Sequence, residues 1–123
     1  MARTVDTLYD QTSGVGAALT TPVINTAPFE SVVFWFIGGG AAAPTGCSVS
    51  PAAADATALG PVAVTVGIGG KSPAVLGAVP AAGVANSVAL GPVTPKASAT
   101  GTGGAASTVR IVVFGVRDGA PAN

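Results

Sequence analysis

Residues 29–40, FESVVFWFIGGG, hold three of the chain's four phenylalanines and its only tryptophan within eight positions. Read as a β-strand, with side chains alternating between faces, the stretch sends Val33, Trp35 and Ile37 one way and Val32, Phe34 and Phe36 the other. Both faces are apolar. A strand of this kind has to be covered on both sides, one side by the domain's own core and the other by a further partner.

Residues 108–117, TVRIVVFGVR, have the same character, with Val109, Ile111 and Val113 on one face and Arg110, Val112 and Phe114 on the other. The two are expected to pair at the centre of the domain. Working outward, residues 61–68 alternate cleanly, Val62, Val64, Val66 and Ile68 against Ala63, Thr65 and Gly67. Residues 46–50 put Cys47 and Val49 on one face, and residues 84–91 form another short candidate. Residues 17–26 read as an edge strand, because Pro22 removes a donor from any ladder. A weaker strand over residues 3–9 places Val5 and Tyr9 on one side and Thr4, Asp6 and Leu8 on the other, before a turn at residues 14–16.

Residues 69–83 and 92–107 are punctuated by Gly and Pro and read as long loops. Residues 50–60 admit two readings. One is a short helix with Ser50 as N-cap, Pro51 at its first position and Gly60 at its end; the other is an irregular connection of small residues. Six to eight short strands with long Gly/Pro/Ala-rich loops indicate an all-β chain, a single β-sandwich or jelly-roll-like barrel spanning residues 1–123.

Composition supports the sheet reading and narrows the function. The 123 residues include 25 Ala and 18 Val but only 5 Leu, and valine favours strands. Only 8% are charged and the net charge is zero, whereas a typical soluble domain carries about 25%. A soluble monomer ordinarily keeps a charged surface. Much of this surface is therefore expected to be covered in the working state, the alternative being a weakly charged monomer with Thr, Ser and Gly outside. The residues expected to make that contact are Phe34, Trp35 and Phe36 of the central strand with Arg110 and Phe114 of the last. Arg110, alone on an apolar face, is either paired with a carboxylate of a neighbouring chain or solvated. The missing basic surplus disfavours nucleic acid, and the apolar run at 32–43 is shorter than a membrane helix requires. The N-terminus, with Asp6 and Asp10 where an export signal would be apolar, points to a protein made in the cytoplasm.

No catalytic constellation is visible, and the chain reads as a non-enzyme without cofactor or metal. There is no histidine and one cysteine, so Cys47 has no base to activate it and reads as a small buried hydrophobe. Residues 65–72, TVGIGGKS, match the second half of a phosphate-binding loop at Gly70, Lys71 and Ser72. The first glycine position is Thr65, and the helix that must follow is cut short by Gly77 and Pro80. Asp6, Asp10, Glu30, Asp55 and Asp118 are scattered singly.

Ile24, Asn25, Thr26, Phe29, Glu30, Ser31, Val32 and Val33 form a phrase that resembles the N-terminal half of small tailed-bacteriophage head decoration, or cement, proteins. Asn86, Ser87 and Val88 and the closing VVFGVRDGAP match that group more loosely. The resemblance implies a β-sandwich virion protein on the capsid surface, partnered by the major capsid protein and by copies of itself, that ties shell subunits together. The chain departs from the group at the Ala/Pro stretch 50–60 and at GPVTPKAS, where an acidic and a basic segment would be expected, and no functional residue carries over. An alternative of a different class is a tail or fibre module that recognises a cell-surface glycan, for which exposed aromatic platforms would be expected.

Overall fold

The two doubly apolar strands do pair. Residues Ser31–Gly40 and Ser107–Asp118 run antiparallel, from Gly40 opposite Ser107 to Ser31 opposite Val116. The computed structural model describes residues 3–52, 62–64, 66–67, 70–77, 87–89 and 96–118. Their strands are β1 (Arg3–Thr12), β2 (Ala18–Thr20), β3 (Ile24–Asn25), β4 (Ser31–Gly40), β5 (Thr45–Ala52), β6 (Val62–Ala63), β7 (Lys71–Gly77), β8 (Ser87–Ala89), β9 (Lys96–Thr102) and β10 (Ser107–Asp118).

They form two sheets. Sheet A has the order β1-β10-β4-β7-β8, and sheet B the order β2-β9-β5-β6, with β3 also on β9. All ladders are antiparallel except β7–β8. The sheets pack as a sandwich and no ladder among the described residues closes them into a barrel. The pairings are nested: β5 with β6, β4 with β7, β2 and β3 with β9, and β1 with β10. Apart from β8, the described strands thus follow one antiparallel ribbon, rolled so that β10 also meets β4 and β9 also meets β5.

The core is asymmetric. Sheet A contributes the large side chains, Val32, Phe34, Phe36, Val109, Ile111 and Val113, all with no exposure. Sheet B answers with small ones, Cys47, Val49, Ala97 and Ala99, joined by Ile24 at its edge and by Val64 and Val66 just past β6. Gly101 in β9 shows how closely the layers approach, since a Cβ there would sit 3.1 Å from Cys47 Sγ and 3.3 Å from Val109. At the other end Gly115 leaves room for the Phe29 ring, which a Cβ would meet at 2.5 Å. Filling by complementary size keeps an interior at close-packed density.

Hydroxyl side chains complete the ladders where the backbone cannot. Between β2 and β3, Pro22 has no N–H to offer. Thr21 bridges the gap: its amide donates to Ala99 O at 2.9 Å and its Oγ1 accepts from Ala99 N at 2.9 Å. Ser13 repeats the device on β10, donating its amide to Val109 O at 2.8 Å and accepting Val109 N at Oγ at 3.0 Å.

Several expectations are corrected. Residues 71–77 are a strand on β4, and 96–102 are the centre of sheet B, where loops were expected. The alternation in β9 is real, with Ala97, Ala99 and Gly101 buried, but its inward residues are too small to read as hydrophobic. Ser50 and Pro51 belong to β5, opposite Ser98 and Ala97, and cap no helix. Among the described residues β6 pairs with β5 only at Ser48 and Val49, so Pro51 interrupts no described ladder on that side. The rest of 50–60, from 53 on, and most of the expected strand at 84–91 lie outside the described residues. Of the described residues in 61–68, Val62–Ala63 are strand, and Val64 and Val66 are buried as expected. In β1 a bulge between Thr7 and Tyr9 breaks the alternation, so Val5 is exposed while Tyr9 and Leu8 both pack on the core.

Truncating a large core residue should leave a cavity that small neighbours cannot fill. Phe36→Ala is expected to cost about 3–5 kcal/mol, and Gly101→Val, which crowds Cys47 and Val109, about 1–3 kcal/mol. Urea unfolding midpoints check both.

Candidate functional site

The outer face of sheet A is built by the register of three ladders. Lys71, Ile37, Arg110 and Thr12 lie in one row across β7, β4, β10 and β1; Trp35, Val112 and Asp10 form the next; Val33, Phe114 and Thr7 the third. Val33, Trp35, Ile37 and Phe114 are half-buried, and Val112 beneath them is 5% exposed although it lies outside the core. They form a small apolar cluster of their own. A shallow depression of about 310 Å³ opens over it, lined by Trp35, Ile37, Val112 and Phe114 with Thr7, Asp10, Lys71 and Arg110 at its rim.

The rim charges are ordered. Arg110 donates through Nε to Asp10 Oδ1 at 2.8 Å and through Nη2 to Asp10 Oδ2 at 2.7 Å, a bidentate pair in which both side chains stay almost half exposed. The hydrogen bond from Arg110 holds the Asp10 carboxyl below its ordinary pKa, against a small opposing effect of desolvation, and the same contact raises Arg110. Lys71 is exposed and has no carboxylate partner among the described residues. A second pair, Arg117 Nε to Asp6 Oδ2 at 2.9 Å, closes the inner side of the β1–β10 edge. There Arg117 Nη2 is buried with no hydrogen-bond partner among the described residues.

The residues expected to make contacts therefore divide. Trp35, Arg110 and Phe114 stand together on the outer face, whereas Phe34 and Phe36 have no exposed surface and serve the core. Arg110 pairs with Asp10 of its own chain, which the register of β1 brings diagonally beside it. Lys71 and Ser72 begin a strand, so the backbone offers no helix N-terminus to a phosphate. Lys71, Asp10 and Ile37 were not foreseen as neighbours. Only the pairing of β7 and β1 with their partners brings them together.

The outer face of sheet B has another chemistry. Thr20, Thr45, Ser48, Ser50, Ser98, Thr100 and Thr102 turn outward, and Lys96 at the end of β9 is the one charge among them. Thr20 and Thr100 share a hydroxyl contact of 3.0 Å across the ladder. Cys47 lies on the inner side of this sheet, its thiol pushed up in pKa by burial and lowered in part by the Thr102 backbone. Among the described residues no three of His, Cys, Asp and Glu come together as metal ligands would.

Compared with known proteins, the chain matches no family model, no curated sequence and no solved structure.

Two outcomes follow from these environments. A carboxylate with a lowered folded pKa contributes stability that is present above its unfolded value, near 3.8, and is lost as the pH falls through the folded one. Asp10→Asn should therefore lower the urea midpoint at pH 7, and the difference from wild type should shrink below pH 3.8. Cys47 should react slowly with an aromatic disulfide reagent in the folded protein and rapidly in urea, because the thiolate is the reactive form.

Proposed function

We propose that the chain is a virion structural protein, a capsid decoration or cement protein that binds the outer shell and ties major capsid subunits together. The observation that carries this reading is the scarcity of charge, sharpened by where the charges go. Ten residues of 123 are charged, and Asp6, Asp10, Arg110 and Arg117 are paired with each other on one edge of sheet A. What is left on sheet B is a broad face of hydroxyls with Lys96 at one end.

That face is the docking surface of this proposal. Depletion of charge is the compositional mark of an interface core. Hydroxyls exchange water for partner hydrogen bonds at small net cost, whereas burying the ions of sheet A would cost several kcal/mol each without ideal pairing. Two further features support the reading. The strand orders β1-β10-β4-β7 and β2-β9-β5-β6 are what a rolled, nested ribbon yields, the jelly roll used by many capsid and lectin domains. The resemblance to decoration proteins also falls on Ile24, Thr26 and Phe29, residues that pack in or against the core, so it speaks to fold, and fold alone does not fix function.

A protein that binds only the assembled shell stabilises it by RT ln(1 + [L]/Kd), about 2.7 kcal/mol per site at a hundredfold excess over Kd. Shells carrying the protein should open at a higher temperature than bare shells. Ser98→Arg, which plants a guanidinium in the hydroxyl face, should fold normally yet bind shells at least tenfold more weakly, a loss of about 1.4 kcal/mol. Equal opening temperatures with and without the wild-type protein would refute the reading.

A further inference from the structure

We propose that the depression over Trp35 is a binding site for an acidic sugar, a pyranose ring bearing a carboxylate. The site goes beyond the shell-binding reading, lies on the opposite sheet, and does not depend on it.

Three observations point to this ligand. The first is the floor. Trp35 and Phe114 are partly exposed around Val112, on a face that no described residue covers. An aromatic face carries negative charge density, and the C–H side of a pyranose, slightly positive, stacks on it. The second is the rim. Each Asp10 oxygen accepts one bond from Arg110 and keeps capacity for another, and Arg110 Nη1 is not used in that pair. The pair is an ordered donor and acceptor set for ring hydroxyls. The third is charge. Asp10 and Arg110 cancel, and Lys71, across Ile37 from Arg110, stands exposed with no carboxylate partner among the described residues. The ligand should supply that carboxylate.

Size separates this from protein docking. Four strands by three alternate positions span roughly 14 Å by 14 Å, about 200 Å². A standard protein interface takes about 800 Å² from each partner. The depression of about 310 Å³ lies instead at the small end of the range for small-molecule sites. A second copy seated face to face is disfavoured by charge, because each face would bring a Lys71 and, among the described residues, no unpaired carboxylate to meet it.

Trp35 is the chain's only tryptophan, so its fluorescence reads the site directly. Titrating the full chain with methyl glucuronide should shift Trp35 emission saturably, and methyl glucoside should need at least tenfold higher concentration. Lys71→Gln, an exposed substitution, should leave the free protein's emission unchanged and abolish that tenfold preference. The proposal is overturned by no saturable change with glucuronide, by equal response to both sugars, or by a preference that survives Lys71→Gln. It is also overturned if sedimentation shows the emission change to track self-association. None of these results bears on whether the protein binds shells.

Discussion

The register of β10 against β4 is the constraint from which the rest of the molecule follows. Because side chains alternate, one alignment sets two surfaces at once. Inside, Phe36 faces Ile111 and Phe34 faces Val113; outside, Trp35 faces Val112, Ile37 faces Arg110 and Val33 faces Phe114. A slip of one residue would carry Arg110 and Phe114 into the core. Features at both ends hold the register. Gly40, in a left-handed conformation (φ 101°), lies against Ala106 too closely for any side chain. At the far end Phe29 occupies the space over Gly115, and Glu30 N donates to Val116 O at 2.8 Å.

Size complementarity across the sandwich explains which strands could be read from sequence. The faces of β4 and β10 were legible because their alternation is written in Phe, Ile, Val and Trp. Cys47 and Val49 were legible for the same reason. In β9 the pattern is Ala97, Ala99 and Gly101 against Ser98, Thr100 and Thr102, period two with almost no hydrophobic contrast. These residues are small because the opposing sheet is large, and a single strand does not reveal its opposite. β7 was hidden differently. Pro73 reads as a loop residue, but it pairs with Trp35 ahead of the described β7–β8 pairs, which begin at Val75 and Ser87, so it interrupts no described ladder on that side.

The candidate site was half legible. The outward direction of Trp35, Arg110 and Phe114 follows from alternation alone. Their surroundings do not, because Lys71 reaches the face only through the β7–β4 ladder and Asp10 only through the β1–β10 ladder. The bulge at Leu8 matters here. Without the extra residue Asp10 would fall on the inner face with Asp6, and Arg110 would lose its partner. The displaced parity that frustrates a sequence reading of β1 is the same feature that assembles the rim.

That bulge also bears on how so uncharged a chain avoids indiscriminate association. Among the described residues β1 is a ten-residue edge strand with one neighbour, a ready template for another chain. It carries Asp6 and Asp10, each fixed to an arginine of β10, and a bulge near its middle. Both are devices that discourage edge-to-edge pairing. Charge is therefore spent on the edge most exposed to wrong pairing, while the broad faces stay neutral or apolar. The two sheets lie about 10 Å apart through the core, and their outer faces differ in chemistry. Hydroxyls cover one, and aromatic rings with a cationic rim mark the other.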